Sequence, residues 1–371
     1  MKKILLLAAL AAFGLNSFAQ DGEFVLEKLW TVDVSSLVTT NDTRQGVGID
    51  GKFYLNVKGE DPKVVIIDQN GLSEETLPGG TNCGINHDDA GNLIVSLATF
   101  PGEWSTEAPM LRVINPTTKA TKDITLTSDC LPAGRCDFLG KALGDMTGDG
   151  QMLIAGANDG TQVCVVTMGD GELDTENSYK ANVEGVGPIT STTISVYQNN
   201  ALYVTRNANP WLLTADGESM TATQFTLPNK GACNGMEAFT LDGKQYFLYP
   251  TLENYQDAFA IAEANAETAV ATAASTVTAN GNGFQCDWLN AEYDASINMV
   301  NIYQYYPGKH VTMWRFYNTA TGVNDMNVTK DEVAKTYVNM MGVESATPFD
   351  GVNIVVTTYS DGSKTTGKVI R

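Results

Sequence analysis

Histidine is scarce in this sequence: His87 and His310 are the only two among 371 residues. This scarcity leaves little room for zinc sites built from several imidazoles. Basic residues are also few, since 23 Lys and Arg stand against 43 Asp and Glu and give a net charge of −20. So negative a surface repels nucleic acid and anionic lipid. We therefore expect no nucleic-acid partner.

Common catalytic motifs are missing as well. The chain has no G-x-S-x-G elbow, no H-E-x-x-H, no phosphate-binding loop, no C-x-x-C and no Asp-box pattern of the sialidase propellers. We assign no catalytic residue. Long apolar runs are also lacking, because no apolar segment beyond the N-terminus reaches, without charges, the about 20 residues that span a bilayer. The mature chain is therefore expected to have no transmembrane segment.

The N-terminal segment 1–19 has the three parts of a secretory signal. Two lysines precede an apolar stretch over 4–13, and the small residues Ser17 and Ala19 follow it. This order is typical of a signal peptide that is cleaved after a small residue. The sequence predicts a mature protein that begins at Gln20 and lies outside the cytoplasm.

One strand pattern recurs through residues 43–318. Each copy has a turn signal, an apolar strand, an irregular loop, a second apolar strand and a polar turn. The second strands end at intervals of 47 to 54 residues and read KVVIID (63–68), MLRVIN (110–115), VCVVTM (163–168), PWLLTA (210–215), AFAIAEA (258–264) and TMWRFYN (312–318). Multi-stranded units with a period of about 40–50 residues predict a β-propeller.

The strand count predicts six blades of four strands. Several units have a trailing strand, such as TQFTLP (223–228), but the sixth unit lacks one. The stretch FVLEKLWTVDV (24–34) has the character of the missing strand. We therefore expect an all-β, six-bladed propeller over 20–318, with the N-terminal strand closing the last blade. The stretch 260–275 has helical propensity, and only the repeat register favours strand there.

The repeats also resemble known ones. VVIIDQNG, LRVINPTTK and LYVTRNANP are similar to the YVTN-type and NHL-type repeats of extracellular propellers. That resemblance is generic and implies the fold alone, because many functions share it.

The predicted blade geometry brings the loop after each second strand to one face. Aromatic residues with amides and carboxylates between them suit stacking on sugar rings or anchoring of a peptide. We expect exposed rings there, with His310 in the same loop of the sixth blade; the candidates are Trp104, Trp211, Tyr255, Tyr305 and Tyr306. Packing between blades is the alternative role for each ring.

The segments that enter the blades form a second candidate group, because they approach the central channel. Their polar and aromatic members are Arg44, Asn86, His87, Asp137, Asn234, Glu237, Asp287, Trp288 and Asn290. A ring of Asp, Asn and Glu at a channel mouth resembles the calcium site of gluconolactonase-type propellers. The resemblance implies a possible calcium ion held by Asp137, Asn234 and Asp287.

A second calcium candidate is the loop from Asp145 to Gln151, which includes Asp149. It resembles the D-x-x-G-D-G loop of integrin-type repeats, but Met152 stands where those loops continue toward another Asp. A simple Gly-rich turn is therefore favoured there.

The C-terminal residues 337–371 carry a specific resemblance. Tyr337, Gly342, the run from Gly351 to Val355, an Asp-Gly-Ser turn and the ending Lys-Val-Ile-Arg match the sorting tail of type IX secretion cargo. From the residues alone, the stretch is two or three strands with an Asp-Gly hairpin turn. The resemblance implies the type IX machinery as a partner, and export through the periplasm for secretion or attachment to the outer-membrane surface. Residues 319–336 are expected to be a linker.

Three functions fit these features. The sequence favours an exported binding module for glycan or peptide. One alternative is a calcium-dependent lactonase or hydrolase that uses the channel carboxylates. The other alternative is a structural surface scaffold that holds partner proteins.

The tail assignment gives the first prediction. Deletion of 337–371 is expected to leave the protein in the periplasm, because the address for the outer membrane is lost. Cell fractionation and immunoblotting of the medium, periplasm and cell surface measure this. Normal appearance of the truncated chain outside the cell would refute the assignment.

Overall fold

The computed structural model describes most of the chain in segments. They are 23–36, 43–98, 104–131, 138–155, 162–186, 192–197, 200–205, 209–216, 219–231, 235–251, 256–277, 288–319, 332–339, 344–349, 352–359 and 364–370. The chain divides into two compact units, Met1–Thr321 and Gly322–Arg371.

In the described segments the first unit is built from β-strands, with a short 3₁₀ helix at Ser128–Cys130. Its first strands are β1 (Phe24–Asp33), β2 (Gly46–Ile49), β3 (Lys52–Val57), β4 (Lys63–Asp68), β5 (Gly71–Pro78), β6 (Ile85–His87), β7 (Leu93–Ser96), β8 (Leu111–Ile114) and β9 (Thr121–Ile124). The middle strands are β10 (Leu143–Gly144), β11 (Gly150–Ala155), β12 (Gln162–Gly169), β13 (Glu172–Leu173), β14 (Tyr179–Glu184), β15 (Thr192–Tyr197), β16 (Asn200–Thr205), β17 (Trp211–Asp216) and β18 (Ser219–Gln224). The last are β19 (Glu237–Leu241), β20 (Lys244–Pro250), β21 (Phe259–Ala262), β22 (Ala271–Ala273), β23 (Trp288–Asp294), β24 (Met299–Tyr306) and β25 (His310–Asn318).

These strands form antiparallel meanders, as the repeat predicted. Four sheets have four strands each: β2 to β5, β6 to β9, β19 to β22, and β23 to β25 with β1. The remaining strands form one nine-stranded sheet, in which the meander of β10, β11, β12 and β14 joins the meander of β15 to β18 through a parallel pairing of β14 with β18. The fold is therefore all-β and propeller-like.

The N-terminal strand completes the last of these sheets. β1 pairs antiparallel with β25 from Phe24 opposite Asn318 to Asp33 opposite His310. The Phe24 ring stacks on Phe316, with 5.2 Å between ring centroids. The sequence expectation for this strand is confirmed at the level of the sheet.

Asp-Gly turns join several of the paired strands. In the β2–β3 hairpin, Asp50 and Gly51 have φ values of 51° and 75°. Two successive positive φ angles are what a type I′ turn requires, and its twist matches that of the flanking strands. Asp170-Gly171 and Asp242-Gly243 repeat the arrangement.

Hydrophobic clusters fill the spaces between neighbouring sheets. Val47 of β2 shares a cluster with Ile85 of β6, and Phe239 of β19 shares another with Phe316 of β25. The first sheet also packs on the last, since Phe53 of β3 lies in one cluster with Tyr303 of β24. Strands that bury both faces read as continuous apolar runs, which explains the apolar strands of the repeat.

The segment with helical propensity is extended at both ends. Phe259–Ala262 is β21 and Ala271–Ala273 is β22, and the two strands pair antiparallel. Burial of Phe259 and Ile261 between sheets outweighs the helical preference of the alanines.

The second unit is a small sheet of its own. Its strands are β26 (Glu332–Asn339), β27 (Glu344–Ser345), β28 (Val352–Tyr359) and β29 (Lys364–Ile370), in the order β27-β26-β28-β29. Four strands are found where the sequence predicted two or three, and β26 begins inside the expected linker. Val355 is buried, whereas Ile354 is 46% exposed.

Close contact between the first and last sheets gives the second prediction. A Cβ atom at Gly48 would lie 2.0 Å from Cγ of Tyr303, so Gly48→Ala must displace a buried ring. We expect a loss of about 1–3 kcal/mol, seen as a lower melting temperature. Gly148→Ala is the matched control, because its Cβ would meet nothing closer than 3.6 Å. Equal melting temperatures for both variants would contradict the packing described for Gly48.

Candidate functional site

Two predicted site residues meet at the start of adjacent sheets. Glu237 begins β19 and Asn290 lies on β23, and the Asn290 Nδ2 donates to Glu237 Oε2 at 3.5 Å. Burial raises the pKa of Glu237 to about 7, although Lys141 and the Asn290 hydrogen bond act in the opposite direction. Asn290 Oδ1 is buried without a hydrogen-bond partner among the described residues. This pair is a buried polar site with a carboxyl group whose pKa is raised to about 7.

His87 and Lys141 supply further charge near this pair. The ring Nδ1 of His87 lies 2.8 Å from the carbonyl oxygen of Asp88, and Lys141 Nζ lies 3.1 Å from Asp89 Oδ1. Burial, followed by the positive charge of Lys141, lowers the pKa of His87 to about 4. The imidazole is therefore neutral at pH 7.

Several predicted ligand residues instead hold one irregular segment, 138–142. Asn86 Nδ2 donates to the carbonyl oxygen of Leu139 at 2.9 Å. Gln45, which was not predicted, accepts from the Leu139 N–H at 2.9 Å and donates to its carbonyl oxygen at 2.5 Å. The Trp288 ring is buried and stacks on Phe138, with centroids 5.1 Å apart. Segment 138–142 thereby contacts the first strands β6 and β23 of two sheets and the residue that precedes the first strand β2 of a third.

The prediction of an exposed aromatic face is wrong for most of the described rings. Trp211 lies in a hydrophobic cluster, and Tyr305 and Tyr306 are fully buried. Tyr305 shares a hydrogen bond with Thr43, and Tyr306 stacks on His310. Trp104 is half-buried against the cluster of the second sheet. These rings lie on strands whose sheets pack against neighbouring sheets, so the rings are buried. The repeat pattern alone does not show this burial.

The remaining predictions have different outcomes. Arg44 is half-buried and lies two residues before β2. Asp137, Asn234, Tyr255 and Asp287 lie outside the described residues, so their ligand and calcium roles stay predictions.

The loop with Asp145 and Asp149 is a hydrogen-bonded turn. Asp145 Oδ1 accepts from the Thr147 N–H, the Thr147 hydroxyl and Asn92, at 2.8, 2.6 and 3.1 Å. Asp149 Oδ1 accepts from the N–H of Asp170 at 2.9 Å. Across the part of the chain that the structure describes, no group of three His, Cys, Asp or Glu side chains is placed to hold a metal ion.

An open cavity lies beside the last sheet of the first unit. It has a volume of about 190 Å³, and we call it the site pocket. Three neighbouring strands line one side, through Lys28 and Thr31 of β1, Gln304 of β24, and His310, Thr312 and Trp314 of β25. The other side comes from residues around β21 and β22, namely Asp257, Ala274 and Thr276.

A β-bulge brings the two β1 residues together. Side chains alternate along a strand, so residues three apart normally point to opposite faces. The register of β1 against β25 shifts between Lys28 and Trp30. As a result Lys28 pairs with Trp314 and Thr31 pairs with Thr312, both on the pocket side. Bulges are known to re-aim side chains next to functional sites.

Asp257 anchors the far wall of the pocket. It accepts from the Ser275 hydroxyl at 2.7 Å, and from the Thr276 N–H and hydroxyl at 2.7 and 2.5 Å. Burial alone would raise the pKa of Asp257, but these hydrogen bonds outweigh it and hold the pKa below its ordinary value. The carboxylate is charged and already surrounded by donors.

His310 sits between this carboxylate and β1. Its Nε2 lies 3.4 Å from Asp257 Oδ2, and its side chain is 11% exposed. Burial lowers the pKa of His310, while Asp257 and Asp33 act to raise it and Lys28 acts to lower it. Sequence reasoning placed His310 in a loop of the sixth blade but not in a site. His310, Thr312 and Trp314 alternate along one strand, and this spacing could have indicated that the three side chains share one face.

No family model matches the sequence, and the search of curated proteins found no match either. Solved structures do match. A DUF4623 family protein from Bacteroides eggerthii shares 13% identity at a TM-score of 0.53, covering 76% of this chain and 71% of that one. An auxiliary nutrient binding protein from Bacteroides ovatus has 9% identity and a TM-score of 0.47, covering 79% and 77%. A Trypanosoma rangeli sialidase has 11% identity and a TM-score of 0.45, and the match covers 92% of this chain and 70% of that one. At these identities the likeness concerns the fold alone. No helix of the described residues has the length and apolar character needed to cross a membrane.

The buried carboxyl group gives the third prediction. The pKa of Glu237 is about 7 in the folded protein and near 4.5 when unfolded, so wild-type stability falls as pH rises through this window. Glu237→Gln removes the ionisation and should stabilise the protein by up to roughly 3 kcal/mol at pH 8, with little effect at pH 4.5. Thermal unfolding across this range measures it. A gain that is the same at both pH values would contradict the assigned pKa.

Proposed function

We propose that this protein is an exported six-bladed β-propeller that binds the terminal sugar of a glycan in the site pocket. The observation that carries the proposal is the pocket itself, a polar cavity of about 190 Å³ edged by Trp314. Binding sites combine a concave, partly apolar wall with a few converging polar groups. The site pocket has this composition, with Thr31, Thr312 and Gln304 as its uncharged polar members.

The size of the pocket supports a single sugar unit. Pockets for drug-sized molecules run from about 300 to 1,000 Å³, so this cavity takes a smaller ligand. A peptide in extended conformation needs an open sheet edge or a long groove. β1 is the outermost strand of its sheet, but the pocket lies between sheets rather than along that edge. Glycan is therefore preferred over peptide.

Six blades and export belong to the same proposal. The clusters shared by successive sheets, and the one shared by the first and last sheets, support a ring of six meanders. The signal-like segment 1–19 and the sorting tail 337–371 support passage through the periplasm and the type IX machinery. A protein on this route meets glycans outside the cell.

Blocking the pocket gives the fourth prediction. Ala274 lines the pocket and is exposed, so Ala274→Trp should fill the cavity at little cost to folding. We expect the purified chain to bind monosaccharides from a panel of neutral and acidic sugars, measured by titration calorimetry, and the variant to lose at least tenfold in affinity. Ala120→Trp, in the exposed turn between β8 and β9, is the matched control and should bind as the wild type does. Failure of every sugar to bind, or equal binding by both variants, would overturn the proposal.

A further inference from the structure

The hydrogen-bonding groups that remain available in the site pocket are donors. Asp257 is the carboxylate of the pocket, but its oxygens already accept from Ser275, from Thr276 and from the Val277 N–H at 3.1 Å. Gln304 is also engaged, because its Oε1 accepts from the Trp314 indole at 3.0 Å and its Nε2 donates to the carbonyl oxygen of Asp257 at 2.5 Å. The acceptors of the pocket are therefore largely used within the protein.

Lys28 provides a positive charge at the opposite side. Its Nζ lies 5.6 Å from the centroid of the Trp314 ring, a cation–π contact. Within the described ranges, it forms no ion pair with a carboxylate. A cation over a ring keeps its N–H donors free for another acceptor.

Two more donors face the same space. The hydroxyls of Thr31 and Thr312 lie 3.1 Å apart, so one donates to the other and the second retains a proton for a ligand. His310 also lines the pocket, and its Nε2 lies 3.4 Å from Asp257 Oδ2, with no shorter polar contact of the ring among the described residues. Lys28, His310 and the threonine pair thus converge from two strands that the bulge holds in register.

We propose that the site pocket selects ligands that carry a carboxylate, such as uronic acids, over their neutral parent sugars. This inference rests on the proposed function, because it names the chemistry of the ligand for the same pocket. A carboxylate supplies two acceptor oxygens and a negative charge, which match a lysine ammonium and converging hydroxyl and imidazole donors.

The fifth prediction compares matched sugars on the wild-type chain. D-glucuronate is expected to bind about tenfold or more tightly than D-glucose, and D-galacturonate more tightly than D-galactose, because a charge-assisted hydrogen bond is worth more than a neutral one. Titration calorimetry at low salt measures both pairs. Equal affinities within each pair would overturn the inference while leaving the proposed function in place. Failure of all four sugars would count against both.

Variants at Lys28 test the source of the selection. Lys28→Met should remove most of the preference for the acid and leave weak binding of the neutral sugar. Lys28→Arg should keep the preference, and Lys52→Met, an exposed lysine at the start of β3, is the charge-matched control and should not change it. Full preference in a folded Lys28→Met variant would contradict the role of Lys28. Where that variant does not fold, the wild-type comparison of the sugar pairs still decides.

The pH dependence gives an independent readout. His310 is faced by Asp257 from the segment before β21, by Asp33 and Lys28 from β1, and by Tyr306 from β24. A bound carboxylate favours the protonated imidazole, so uronate binding should tighten as pH falls from 8 to 5.5, whereas neutral sugar binding should not. His310→Gln should abolish this slope. A uronate affinity that is flat with pH in the wild type would remove His310 from the site.

Discussion

The pairing of β1 with β25 is the interaction on which the pocket and its sheet depend. It joins residues at opposite ends of the first unit, from Phe24 beside Asn318 to Asp33 beside His310. Such a long-range contact closes a very large loop, and its entropy cost must be met by burial along the whole strand. The stacking of Phe24 on Phe316 and the packing of Leu26 and Trp30 in two different clusters supply that burial. Without β1, β25 would be an open edge and the pocket would lose Lys28 and Thr31 from one side.

The polar side chains at the start of the sheets hold backbone groups of a neighbouring segment. In the sequence alone, such residues cannot be told apart from ligand-binding residues. Segment 138–142 is irregular and largely buried, so its backbone N–H and C=O groups need partners from outside a strand ladder of their own. Gln45 and Asn86 provide them to Leu139. Amides are suited to this role because one side chain can donate and accept together. A polar residue near a predicted channel is therefore as consistent with backbone support as with ligand contact.

Sequence periodicity predicted the strands well because the spacing of apolar residues follows the burial of side chains that stabilises each strand. Strands that are apolar on both faces and Asp-Gly turns recur at similar spacing. The Asp-Gly sequence predicts a hairpin turn with positive φ angles, and Asp50 and Gly51 have such angles. The sequence could not predict which residues meet across sheets. The bulge after Lys28 is one extra residue in a strand, and the sequence FVLEKLWTVDV contains no Gly or Pro to mark it. That single shift decides which side of β1 faces the pocket.

The pocket also has a local potential that differs from that of the whole chain. A net charge of −20 repels anions at a distance, but salt screens such fields beyond roughly 8–10 Å. Inside the pocket, the charge of Asp257 is met by hydroxyl and backbone donors, while Lys28 lies over the Trp314 ring. For an anion in the pocket, donors at contact distance outweigh the repulsion from distant surface carboxylates. Electrostatic energy falls with distance, and it is less screened where water is partly excluded. Under the proposed preference for carboxylates, the acidic surface would set the association rate of an anionic ligand, and the pocket would set its dissociation rate.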